Sequence, residues 1–172
     1  MPGSHAAARL GQWLRADRRF KLLLIESWFY LAWARWLKAL PFKKVAPRLG
    51  DTARETARAA ECDKDTAALI GDIAKSVRIM SRYTMWESKC LVKAIACMKM
   101  LQKRGIESTL YLGTAKDEQG KMTAHAWLRS GDAYLTGEEI MDRYAVVAVI
   151  GNFARRRKPI TLREKGARGE RG

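Results

Sequence analysis

At Gly105 the spacing of apolar residues changes, and with it the kind of structure the chain forms. Upstream, apolar residues recur at steps of three and four, the period of one helix face. Downstream, in ESTLYLGT and MTAHAWLR, polar and apolar residues alternate, the period of a strand with one buried side. Helices first and hairpin-linked strands afterwards predict an α+β chain with an antiparallel sheet.

Three helices are expected. The first runs from about Arg9 to Leu40, with Leu22, Ile25, Phe29, Ala32, Trp36 and Leu40 on one face and Glu26, Ser27, Tyr30, Arg35 and Lys38 on the other. Trp13, Trp28, Trp33 and Trp36 cluster in it, and such an aromatic face is expected to be buried core, with partner docking as the competing role. Pro41 ends it, because proline lacks the N–H and restricts the residue before it. The second starts at Asp63 or Asp65, either of which can cap free N–H groups, carries Ile70, Ile73, Val77 and Met80, and ends near Tyr83. The third starts at Cys90, buries Leu91, Ala94, Met98 and Leu101, and is closed by Gly105. After the two alternating strands, SGD turns into AYLT, GEEIMDRY is a short helical piece, and the unbroken apolar run of AVVAVIGNF predicts a well-buried strand.

Charge and cysteine content narrow the setting. Lys and Arg number 33 against 18 Asp and Glu, a net +15, so a polyanion or acidic partner is one reading. Much of the excess lies in RRRKPITLREKGARGERG, which reads as a solvated, disordered tail. Residues 1–60 form an N-terminal helical region able to dock a partner, 61–153 a core, and 154–172 that tail. Cys62, Cys90 and Cys97 are odd in number and lack CxxC spacing, which excludes a disulfide framework and a structural zinc site and fits a reducing, cytoplasmic compartment. No metal or cofactor is expected. LLLIESWFYLAWARWL is interrupted by Glu26 and Arg35 and falls short of a membrane span.

Cys90 carries the sharpest chemical signal. It stands where TMWES becomes a helix, so free N–H groups and the positive end of the macrodipole favour its thiolate, and Lys89 adds to this if its side chain folds back. The same N–H groups can receive an oxyanion. Cys97, seven residues on, lies where the dipole has faded and reads as core. A thiol nucleophile needs a base; His5 lies in a mobile end, which leaves His125. Alternation puts Thr123, His125 and Trp127 on one side of their strand, so an indole would flank the imidazole.

A helix-start cysteine followed by a strand histidine is similar to the papain-like, transglutaminase-like core. More closely, SKCLVKAIACMKMLQKRGIESTLYLGT followed by AHAWLRSGDAYLTGE resembles the leader peptidase of lasso-peptide biosynthesis, in the branch whose leader-recognition domain is a separate small protein. The CL helix start, the RGI helix end and the HAW strand carry the likeness, which spans Trp86 to about Gly151.

That resemblance implies a cysteine protease that removes the leader of a precursor peptide and frees the core peptide's α-amine, which a separate ATP-using synthetase joins to an Asp or Glu side chain to close a macrolactam. The implied partners are the precursor, the leader-binding protein and the synthetase. Cys90 would be the nucleophile and His125 the general base, then the acid. The family's third residue is an aspartate, and here two acids compete for the role. With GD as a two-residue turn, counting from Ser130 opposite Ala133 brings His125 opposite Glu138, whereas Asp132 has the expected chemistry but sits in the turn. The alternative class is a basic module or scaffold for nucleic acid, an anionic membrane or a biosynthetic complex, although no RNP motif, zinc finger or glycine-rich phosphate loop supports nucleic acid.

Overall fold

The alternating segments after Gly105 become one antiparallel sheet, and the helical segments before it stack on one side of that sheet. In the computed structural model, residues 17–58, 63–85 and 89–154 are described. In order they form α1 (Arg18–Leu37), α2 (Phe42–Leu49), β1 (Asp51–Thr52), α3 (Lys64–Met80), α4 (Cys90–Lys103), β2 (Ser108–Lys116), β3 (Met122–Ser130), β4 (Ala133–Thr136), a short 3-10 helix (Glu138–Arg143) and β5 (Ala145–Asn152). The strand order is β1-β5-β2-β3-β4 and every pair is antiparallel. The α+β expectation therefore holds. The 154–172 tail lies outside the described residues beyond Ala154, as do Cys62, His5, Trp13 and Trp86.

Local signals place most helix ends. Asp63 caps α3, its carboxylate accepting from Thr66 N at 2.9 Å and Thr66 Oγ1 at 2.7 Å. Gly105, at φ 69°, lets the chain reverse after α4, so that Ile106 N donates back to the Leu101 carbonyl at 3.1 Å. Two short elements between Pro41 and Thr52 carry no such signal: α2, which buries Val45, Ala46 and Leu49, and β1.

Helix α4 is the centre of the core. Val92, Ala94, Ile95, Ala96, Cys97, Met98, Met100 and Leu101 are buried around its whole circumference, because it is enclosed by α1 and α3 on one side and the sheet on the other. From the sheet, Leu110, Ala126, Leu128 and Ile150 complete this core.

The first helix turns the opposite way from its expected orientation. Leu22, Ile25, Phe29 and Trp36, read as core, are 66%, 52%, 62% and 60% exposed, while Leu23, Leu24, Ser27, Leu31, Ala34 and Leu37 are buried. Both faces of this helix are apolar, so periodicity alone could not choose between them. Close packing against α3 and α4 selects the face with the smaller side chains, and a polar contact reinforces it: Ser27 Oγ sits 2.7 Å from both the Leu23 carbonyl oxygen and Ser76 Oγ of α3. The expectation for AVVAVIGNF is corrected as well. Val146 and Val147 are exposed, and Val147 is the extra residue of a bulge where the pairing of β5 with β2 shifts between Leu112 and Gly113.

Across the other face of the sheet runs the segment 53–58. It is held by Arg129, a fully buried guanidinium that donates to the carbonyls of Thr56 (3.0 Å) and Gly131, to Tyr111 Oη (3.0 Å) and, more distantly, to Glu55 (3.4 Å). A buried cation is tolerated here because backbone acceptors surround it.

Glu26 joins α1 to the end of α4, accepting from Arg104 at 2.6 Å and Lys103 at 3.0 Å. Burial opposes its charge, but bonds from the two cations prevail and hold the carboxyl below its ordinary value. A lowered carboxyl stabilises the fold above its unfolded-state pKa and loses that contribution as pH falls through its folded one. Thermal melts of Glu26→Gln should therefore show about 1 kcal/mol less stability at neutral pH, and a shallower loss below about pH 4.5 than the unsubstituted protein.

Candidate active site

Cys90 is the first residue of α4, half-buried against the edge of the core. The preceding residue, Lys89, makes no side-chain cap and the first turn contains no acidic residue, so the positive end of the helix dipole stands at Cys90. Cys97 is wholly buried, and burial pushes its thiol up to about 12, which makes it core as expected.

His125 lies on β3 opposite Gly113 of β2. Its ring stacks on Trp127 with centroids 5.9 Å apart and meets Tyr144 at 5.1 Å, so the expected indole flank is present and a phenol adds a second wall. Gly113 makes this enclosure possible: a Cβ there would come within 2.9 Å of the Trp127 ring and 2.8 Å of Tyr144 Cβ. Nε2 lies 2.7 Å from the Gly137 carbonyl oxygen. A carbonyl only accepts, so in the neutral ring Nε2 carries the proton and Nδ1 holds the lone pair.

Gly137 is the residue that sequence reasoning missed. It sits at φ 76°, in the left-handed region, and a Cβ would lie 2.4 Å from the Ala126 carbonyl oxygen and 3.1 Å from Nε2. Only glycine brings its carbonyl to the imidazole at this corner. The available signal was a glycine between the end of a strand and the two glutamates of TGEE.

The acidic candidates lie differently from the count. Ser130 does pair with Ala133 across a two-residue turn, but Leu135 bulges out, so Leu128 faces Thr136 and β4 ends before reaching the level of His125. Glu138, immediately after Gly137, and Asp132, in the turn, are both exposed, and among the described residues neither carboxylate bonds to the imidazole.

Cys90 and His125 come from different sides of the layer. Ala126 and Leu128 point into the core beneath α4, so His125 leaves β3 on the other side and reaches Gly137 just beyond the end of β4. In the first turn of α4, Lys93 shares a cavity of about 330 Å³ with α3, β4, Gly137 and Glu138, which neither Cys90 nor His125 lines. Among the described residues no hydrogen bond joins the Cys90 thiol to the imidazole. Nor is any group of three or more His, Cys, Asp or Glu among them placed to hold a metal.

A helix-start cysteine and a strand histidine with a fixed tautomer, on an α+β core, are joined by a sequence finding: the model of the transglutaminase-like superfamily matches residues 36–149. The chain belongs to that superfamily. The match takes in Cys90, His125, Asp132 and Glu138 together with most of the helical layer. Transglutaminase-like proteins are typically cysteine proteases and transferases, so the match suggests a function of the cysteine-protease type. No curated protein and no solved structure matches it.

Two outcomes follow from this transglutaminase-like corner. In the native protein at mildly alkaline pH, iodoacetamide followed by peptide mass mapping should label Cys90 and leave Cys97 unmodified until the fold is denatured. Gly137→Ala should cost about 1–3 kcal/mol in a thermal melt and alter the 15N ring shifts of His125, which in the unsubstituted protein should report the Nε2–H tautomer.

Proposed function

We propose that this protein is the leader peptidase of a lasso-peptide pathway, cutting a ribosomally made precursor so that the core peptide's α-amine is free for macrolactam closure by a separate synthetase. The observation that carries the chemistry is the 2.7 Å bond from His125 Nε2 to Gly137, which leaves Nδ1 as the base on a transglutaminase-like core whose helix begins with Cys90. Support for the substrate comes from the resemblance carried by the Cys90 helix and the HAW strand.

In this reading Nδ1 takes the proton of the Cys90 thiol as sulfur attacks the scissile carbonyl. The N–H groups of the first α4 turn stabilise the oxyanion. Collapse of the tetrahedral intermediate releases the core peptide, whose amine receives the proton from His125, and leaves the leader as a thioester on Cys90. Water then hydrolyses that thioester, with the imidazole again acting as base, and the leader departs as a carboxylate. A separate leader-binding protein delivers the precursor.

The orienting role falls to the Gly137 carbonyl, with Glu138 or Asp132 contributing from its surroundings. Mixing protein, precursor and leader-binding partner and following product mass tests all of this. Cys90→Ala should abolish cleavage and His125→Ala should slow it by roughly a thousandfold. Glu138→Gln and Asp132→Asn should each cost no more than about tenfold, the scale of one weak polar contribution. Unchanged cleavage by Cys90→Ala would end the proposal, and a loss of about a hundredfold or more in either acid variant would move the orienting role from the carbonyl to that carboxylate.

A further inference from the structure

The outward face of α1 has no use in the chemistry above. Leu22, Ile25, Phe29 and Trp36 follow one another along it at helical spacing, over roughly 20 Å of axis, and all are more than half exposed. Trp28, set edge-on against Phe29 at 5.2 Å, extends the apolar surface to one side. The opposite face already fills the core with α3 and α4, so this ridge is surplus to folding.

Its electrostatics are one-sided. From Arg18 to Leu49 the sequence contains eight Lys and Arg and one acid, Glu26, which is bound to Arg104 and Lys103. Exposed Arg18, Arg19, Arg35 and Lys38 lie along or just beyond the helix, and Phe42, Lys43 and Lys44 continue the same mixture at the start of α2. Exposed aromatic and aliphatic side chains among cations are the composition of a helix that lies in the interface of an anionic bilayer. A second copy of the chain fits poorly, because it would press two cationic faces together.

We propose that α1 seats this protein, lying flat, on an anionic membrane surface through Leu22, Ile25, Phe29 and Trp36. No helix among the described residues is long and apolar enough to cross a membrane, so the contact is peripheral. Because α4 separates α1 from the sheet, the sheet and its His125 lie on the far side of α4 from the lipid. This inference stands whether or not the protein cuts a leader.

The test is flotation of the full chain with phosphatidylcholine vesicles, either pure or containing about one-third phosphatidylglycerol. Binding is expected to the anionic vesicles only, with a blue shift of tryptophan fluorescence. The double substitution Phe29→Ser and Trp36→Ser should lower the partition coefficient by at least about tenfold. It should change the melting temperature by no more than a few degrees, since both side chains are more than half exposed. Arg155→Gln, Arg156→Gln and Arg157→Gln together should weaken binding less, which separates the ridge from the basic tail. Absence of vesicle binding, flotation unaffected by the double substitution, or a lipid-free dimer dispersed by it would each overturn the proposal. So would capture of an acidic amphipathic helix by the ridge in preference to vesicles.

Discussion

The structure depends on enclosing one helix from every direction. α4 carries buried residues around its circumference, so it cannot lie on a surface and must have a sheet beneath it and helices above. That demand sets the order of layers: sheet, then α4, then α1 and α3. It also fixes the site, because the only part of α4 spared from burial is its ends, and the N-terminal end carries Cys90. A side chain at the mouth of a buried helix inherits a rigid position and the field of the helix dipole from the same packing.

The second constraint is the corner where β4 stops. The bulge at Leu135 and the left-handed Gly137 end the strand early and turn the backbone so that a carbonyl, not a side chain, meets Nε2. A backbone acceptor is positioned by the fold and cannot titrate, so it selects the Nε2–H form of the neutral imidazole. Trp127 and Tyr144 on either side, with Gly113 cleared beneath them, restrict the ring to this orientation. The transglutaminase-like arrangement is thus built from small residues as much as from the cysteine and histidine.

Placement of polar groups separates the two faces of the helical layer. Ser27 and Ser76 satisfy each other in the interior, and Glu26 is tied to the end of α4. The cations of α1 and α2 are left to the outside together with the largest apolar side chains. A soluble surface ordinarily disperses such residues, and here they are concentrated on one ridge, on the far side of α4 from the sheet.

Local composition was enough to mark the helix–strand switch at Gly105, the strands and short helix that follow it, two acids (Asp63 and Asp65) as candidate caps, and the candidacy of Cys90 and His125. Each depends on residues within a few positions of one another, where propensity and capping act. The facing of α1, the bulge that defeats a simple strand count, the backbone partner of His125 and the burial of Arg129 depend on contacts distant in sequence. Ser27 and Ser76 are 49 residues apart, and Arg129 and Thr56 are 73. A helix apolar on both sides has two equivalent solutions until its neighbours are in place, and close packing against α3 and α4, not hydrophobicity, made the choice.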